Sequence, residues 1–288
     1  MGNKKPFSLE EAKNCKFQSI PIFKISHAEC SRGNLQNLLQ KFMSESSPMI
    51  AFRCDKPPVL PKMRQESFDK KMLKVTTKQI EGFSNDSISS IFQHGEPSEQ
   101  LAIEYAHESM LEGKITRDEF WENLYSGPFL QKYCEANEEP EVFLDFSKST
   151  FQFDLVAENN LRNVNIPGVT KPFIYFGIKN SNFAFHQEGG NLISFNLHCG
   201  GKPKLWYFIP NSEYEKVRAL FEYSEFSKYC SQFLKHKSFL LNPAFLKANN
   251  IQVYEFIQKF GDIVVTNSWH QGGNLGKVSK ELFHKCWF

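Results

Sequence analysis

From about residue 150 onward the chain is a succession of short β-rich runs cut by Gly, Pro, Asn and Asp. That texture constrains the fold more than any other feature. STFQF, KPFIYFGI, NFAFH, NLISFNLH, KLWYFIP, KSFLLN and GDIVVTN follow one another along the sequence. Many short strands separated by turn signals build a sandwich or a barrel. Phenylalanine, frequent in strands, occurs 29 times and leans the core the same way. Hydrophobic residues make up 41% of the chain, enough for a sizeable core.

The first 150 residues read differently. Residues 1–20 are a polar lead-in. SIPIFKIS (19–26) alternates and predicts a first strand, RGNLQNLLQKFMSE (32–45) has helical periodicity, and SPMIAFRC (47–54) returns to strand. DKPPVLPKMRQ (55–65) reads as a loop, and residues 66–96 show no clear period. PSEQLAIEYAHESMLEGK (97–114) predicts a helix. TRDEFWENLYSG (116–127) opens another, with Thr116 as N-cap and Glu119 as its capping-box partner. CEANEEPEVF (134–143) is an acidic loop, either a solvated surface or a rim that attracts a basic peptide. Helical inserts around 212–234 and 243–250 interrupt the later strands. The expected fold class is mainly β with flanking helices (α+β). Its core is a double-stranded β-helix, the cupin-like jelly roll, which among these architectures carries metal sites. Residues 1–150 would form an N-terminal supporting region and 151–288 the jelly roll.

Composition narrows the function classes. The 34 basic and 32 acidic residues nearly cancel, to +2, which argues against a general nucleic-acid binder. No direct sequence-specific nucleic-acid binding is expected. Seven cysteines (Cys15, Cys30, Cys54, Cys134, Cys199, Cys230, Cys286) are scattered, and no apolar signal segment stands near the polar start. This predicts an intracellular, reduced chain. No apolar stretch reaches the length of a membrane span, so no membrane partner is expected.

Chemistry enters with Phe185-His186-Gln187-Glu188, answered much later by His270. Two imidazoles and one carboxylate are the ligand set of mononuclear non-haem iron(II) oxygenases, where they occupy one face of the metal. A His-x-Glu pair on an extended strand puts both side chains on one face. A lone histidine in an apolar strand is ordinarily a satisfied core residue. A glutamate two residues on is harder to dismiss, because a buried carboxylate must be paired or bind metal. His270 follows the run GDIVVTNSW and precedes Gly272 and Gly273, which would permit a tight turn.

The stretch KPFIYFGIKNSNFAFHQEGGNLISFNLHCGGKPKLWYFIP (171–210) resembles the JmjC (jumonji C) domain. The likeness continues through FLKHKSFLLNPAFLKANNI and FIQKFGDIVVTNSWHQGGN, covering roughly residues 168–276. It includes intervals as well as ligands: Asn196, Lys204 and Trp206 lie ten, eighteen and twenty residues after His186. That family comprises iron(II)- and 2-oxoglutarate-dependent oxygenases, mostly histone lysine demethylases. The resemblance implies that His186, Glu188 and His270 bind iron. Lys204 would pair with the distal carboxylate of 2-oxoglutarate, Asn196 would hydrogen-bond its chelating end, and Trp206 would wall its pocket or simply fill the core. EFWENLYSGPFLQKY (119–133) resembles the segment that supplies an upstream tyrosine, here Tyr133 or, as second choice, Tyr125. GVTKPFIYFG (168–177) resembles the stretch that offers a backbone carbonyl and a hydroxyl to the methyl-ammonium, here Gly168 and Tyr175, with Glu188 close by.

The sequence departs from the family after the distal histidine, where it reads NLGKVSKELFHKC, with Leu282 and His284 near the places of small polar residues. CSQFLKHK, carrying Cys230 and His236, resembles half of a structural zinc site in the branch that pairs JmjC with an N-terminal JmjN segment. His284 and Cys286 are what this chain offers for the other half. The bland alternative is a buried cysteine and a surface histidine. IPIFKIS and DKPPVLPK resemble a JmjN segment, while SPMIAFRC reads equally as the first strand of a JmjC domain.

The activity implied is demethylation of methyl-lysine on histone tails, using iron(II), 2-oxoglutarate and O2 and releasing succinate, CO2 and formaldehyde. A protein hydroxylase of the same chemistry and a non-catalytic chromatin-binding module are the alternatives. The implied partners are a methylated histone tail or other basic peptide, and chromatin. The implied location is nuclear, with the cytoplasm second.

Overall fold

The computed structural model describes residues 8–30, 38, 40–42, 47–64, 74–83, 87–94, 115–136, 144–151, 173–177, 180–188, 192–275 and 279–286. The helix expected over 97–114, much of that over 32–45, and Gly168 lie outside these residues. The strands before residue 150 are β1 (Ile22–Ile25), β2 (Met49–Cys54), β3 (Lys62–Met63), β4 (Lys74–Ile80), β5 (Ile88–His94), β6 (Phe129–Ala136) and β7 (Leu144–Asp145). After it come β8 (Phe173–Gly177), β9 (Asn182–His186), β10 (Ile193–Gly200), β11 (Lys204–Ile209), β12 (Phe239–Leu241), β13 (Tyr254–Gln258), β14 (Ile263–Thr266), β15 (Trp269–Asn274) and β16 (Ser279–Cys286). Helix α1 (Leu9–Asn14) precedes the strands, and α2 (Arg117–Ser126), α3 (Tyr214–Leu220) and α4 (Pro243–Ala248) lie between them.

Two sheets carry the architecture. The larger has the order β1-β2-β14-β10-β16-β8-β6-β4-β5-β12, and the smaller β13-β11-β15-β9. Its pairings are antiparallel except β1 with β2. This is the expected jelly roll, a strand-rich sandwich that, among the described residues, does not close into a barrel.

Alternation along β11 explains how the smaller sheet is covered. Trp206 and Phe208 point inward, packing with Met49 and Ala51 of β2, Val264 of β14 and Phe256 of β13. Leu205, Tyr207 and Ile209 point the other way, into a cluster with Phe120, Trp121 and Leu124 of α2, Val217 of α3 and Ala244, Phe245 and Leu246 of α4. All six β11 residues are therefore buried, Lys204 included. Such a strand reads as a continuous apolar run rather than an alternating one.

Helix α2 begins as expected. The Thr116 hydroxyl accepts from the Glu119 amide at 3.1 Å, and the Glu119 carboxylate accepts from the Thr116 amide at 2.6 Å. The helix expected over 212–234 is shorter than its periodicity suggested. After α3 the chain makes only single 3-10 turns at Phe226–Lys228 and Phe233–His236. Beyond the end of α3, the Ser227 hydroxyl donates to the Ser224 carbonyl at 2.9 Å, a local bond that competes with helical pairing in this stretch. In the aperiodic stretch 66–96 the structure finds β4 and β5. Buried Ser87, Ser89 and Ser90 beside Ile88 hide any apolar alternation there.

Candidate metal centre

The inner face of the smaller sheet gathers His186, Glu188 and His270. One donor atom from each lies within 4.8 Å of the other two, and they form the one such cluster among the described residues. His270 sits directly opposite His186 in the β15–β9 ladder, with ring centroids 4.4 Å apart. Glu188 follows β9 by two residues and is buried, its Oε1 3.7 Å from His186 Nε2.

Both histidines are held alike. His186 Nδ1 lies 2.7 Å from the carbonyl of Ala184, and His270 Nδ1 lies 2.8 Å from the carbonyl of Ser268. A carbonyl can only accept, so each Nδ1 donates and each Nε2 is left with a lone pair. Nε2 of His270 is buried without a hydrogen-bond partner among the described residues. An orphaned acceptor beside a second imidazole and a carboxylate is what a divalent metal would satisfy. Burial lowers the His270 pKa to about 3, with His186 and Lys204 pushing the same way, so the ring is neutral at ordinary pH. Neutral imidazole is the form that ligates.

A bulge supplies the aim. Between the pairs His270↔His186 and Gly272↔Phe183, β15 advances two residues while β9 advances three. The extra residue in β9 lets both Phe183 and His186 face inward, where simple alternation would separate them. The Phe183 ring meets His186 and His270 at 6.0 Å and Trp206 at 4.9 Å. Phe185 turns outward and stacks on Trp269 at 4.9 Å. Gly272 and Gly273 also differ from expectation, lying within β15 rather than in a turn. A Cβ on Gly272 would stand 2.0 Å from the Leu205 carbonyl oxygen and 3.1 Å from Phe183 Cζ. Glycine is required by that close approach.

The residues expected to take an anion lie alongside. Lys204 is 5% exposed, its Nζ 4.2 Å from the Trp206 ring centroid and 4.6 Å from that of Phe183. Trp206 is itself 5.7 Å from His270, centroid to centroid. Asn196 is buried on β10 in register with Val264, on the inner face of the larger sheet. In the strand register Asn196 is aligned with position 283 of β16, and that with position 173 of β8; Tyr175, two residues further along β8, is half-buried. Tyr133 stands in β6 opposite Gly177, two residues from Tyr175.

Tyr125 lies elsewhere. It packs on Phe83 and Trp121 and accepts from Asn242 Nδ2 at 2.5 Å, and burial pushes its pKa up to about 12. It is a packing residue of the helical side. Cys230 and His236 do come together, Sγ to Nε2 3.4 Å. His284 and Cys286 pair with Phe195 and Ile193 of β10.

Two supporting residues escaped sequence reasoning. Gln258, fully buried on β13, accepts from Trp206 Nε1 at 2.8 Å and donates to the Asn196 carbonyl at 2.9 Å. One amide thus ties the Trp206 ring to the Asn196 backbone across the sandwich. Its signal was a polar residue two positions after Phe256 in an otherwise alternating strand. Gln187, between the ligands, donates to the Asn211 side chain at 3.1 Å and the Asn267 carbonyl at 3.3 Å. It ties the His186–Glu188 segment to the one that leads into His270.

Fold and donor set define a class: a jelly roll carrying a two-histidine, one-carboxylate centre. Family comparison then specifies it. Residues 173–284 match the family model described as "JmjC domain, hydroxylase", and this part of the chain is a JmjC domain. The chain is similar to lysine-specific demethylase JMJ706 of Oryza sativa subsp. japonica, 32% identical over 197 residues, covering 61% of this chain and 23% of that protein. It is also 36% identical over 117 residues to human probable lysine-specific demethylase 4F, covering 39% of this chain and 18% of that protein. Rat lysine-specific demethylase 4D is 36% identical over 115 residues, covering 38% and 22%. The matched stretches span less than a quarter of these relatives.

Proposed function

We propose that this chain is an iron(II)- and 2-oxoglutarate-dependent oxygenase that demethylates methyl-lysine on a basic peptide such as a histone tail. The observation that carries this reading is the buried, unpartnered Nε2 of His270 beside His186 and Glu188, with Lys204 buried nearby. The residues fit the metal: two imidazoles, each turned by its Nδ1 contact so that Nε2 faces the centre, and a carboxylate on one side leave room for other ligands. His186 Nε2, the Glu188 carboxylate and His270 Nε2 would hold iron. Bound iron would supply activation of O2 with 2-oxoglutarate, the chemistry that removes an N-methyl group as formaldehyde with release of succinate and CO2.

The chain's own residues do the positioning. Lys204 offers a cation in an apolar surround, where a carboxylate gains most from pairing with it. Asn196 and Trp206 wall the co-substrate pocket, both fixed by Gln258. Phe183 and Phe208 shield the imidazoles from water. Tyr133 is our choice for the second contact to the co-substrate carboxylate. Gly168 and Tyr175 are our choices for the methyl-ammonium. Substrate identity rests on the names of the relatives, and a nuclear location follows from that substrate class.

Mass spectrometry of methyl-lysine peptides incubated with the chain, iron(II), ascorbate and 2-oxoglutarate tests the reading. Demethylation lowers the peptide mass by about 14 Da per methyl removed; a gain of about 16 Da would instead mark a stable hydroxylation. A peptide that binds while 2-oxoglutarate is not consumed would replace the enzyme with a binding module.

A further inference from the structure

At the opposite edge of the larger sheet two thiols touch. Cys30 is fully buried in the turn after β1, its amide bonded to the carbonyls of Ser26 and His27. Cys54 ends β2, paired with Ile25 of β1, and is half-buried. Both are free thiols, and their sulfurs lie 3.1 Å apart. A disulfide needs about 2.05 Å. Only about 1 Å of sulfur movement separates the two states, within reach of a small side-chain rotation. We propose that Cys30 and Cys54 form a dithiol modification site that a hydroperoxide converts into an intramolecular disulfide.

The surroundings divide the roles. Cys54 is the more accessible sulfur, and the hydrogen bond it shares with Cys30 lowers its pKa, against the opposing effects of burial, Asp55 and Asp262. Cys30 is held high by the same hydrogen bond and by burial, with Glu29 and Asp55 adding to this. Cys54 therefore attacks and Cys30 resolves. The Cys54 thiolate attacks one peroxide oxygen, the O–O bond breaks, and Cys54 becomes a sulfenic acid while hydroxide leaves and is protonated to water. The Cys30 sulfur then attacks the Cys54 sulfur, and the sulfenic hydroxyl departs with the Cys30 proton as a second water. In sum two thiols are oxidised by two electrons, and one hydrogen peroxide is reduced to two waters. The bond would fasten the turn after β1 to the end of β2. It does not depend on the iron reading and fails or stands separately.

The test treats the full chain with limiting hydrogen peroxide, blocks remaining thiols and maps peptides without reduction. The expected product is a Cys30–Cys54 linked pair, with an intact mass lower by about 2 Da and restored by dithiothreitol. In Cys30→Ser, Cys54 should persist as sulfenic acid and label with dimedone at least several-fold more than in the unmodified chain. Three results would overturn the proposal: both thiols still alkylatable after treatment, linkages among other cysteines as abundant as Cys30–Cys54, or Cys54 labelled equally by dimedone with and without Cys30. The first two are read on the unsubstituted chain, so a poorly folding variant leaves the proposal exposed to refutation.

Discussion

Lys204 concentrates the residue-scale argument, because a cation 5% exposed between two aromatic rings suits an anionic guest. Lys204→Met keeps the stem and removes the charge. A charged hydrogen bond contributes about 1.5–3 kcal/mol, so the apparent Kd for 2-oxoglutarate should rise roughly 10- to 150-fold. Affinity for the metal should change little. Equal 2-oxoglutarate affinity in both proteins would remove Lys204 from the co-substrate site. At this scale the sequence was informative where chemistry is tied to residue type and interval: His186, Glu188 and His270 do meet. It was silent on Gln258, whose importance lies in two hydrogen bonds made across the sandwich. It was silent too on the bulge that sets Phe183 and His186 on one face and turns Phe185 away, since a bulge, unlike simple alternation, leaves no clear mark in the local sequence.

The element that does most to shape the site is β15. Its residues alternate between His270 on the inner face and Gln271, which clamps Leu241 of β12 through its side-chain amide. Gly272 lets β15 lie close to β11 and Phe183. Gly272→Ala should destabilise the fold by about 1–3 kcal/mol or more, the usual penalty of forcing atoms into a packed interior. Urea unfolding measures this, and an unchanged midpoint would show that the strands separate without cost. The strands from β8 to β12, and β14, were readable from runs bounded by turn residues. The 212–234 segment holds less helix than its periodicity suggests: α3 stops at Leu220, and local bonds such as Ser227 to the Ser224 carbonyl, invisible to helical spacing, shape the turns beyond it.

Across the whole molecule, strands from before and after residue 150 share one sheet. β2 pairs with β14, and the Arg53 guanidinium grips Asp262 with two bonds of 2.7 and 2.6 Å. Asp262 is buried while the Arg53 side chain is 35% exposed. Arg53→Met would strand a buried carboxylate. We expect a loss of about 2–3 kcal/mol, below the ~3–5 of fully enclosed pairs because water screens Arg53. A loss within experimental error would show that the pairing of β2 with β14 does not lean on this contact. Such long-range partnerships are what a single sequence hides, since Arg53 and Asp262 are 209 residues apart. The central claim, that the sandwich exists to present three donors to one metal, is tested most directly by anaerobic titration of iron(II) into the chain and its His270→Ala variant. The account predicts one iron per chain, with affinity lowered at least 100-fold by the substitution. Failure of the unsubstituted chain to bind stoichiometrically, or equal binding by the variant, would contradict it.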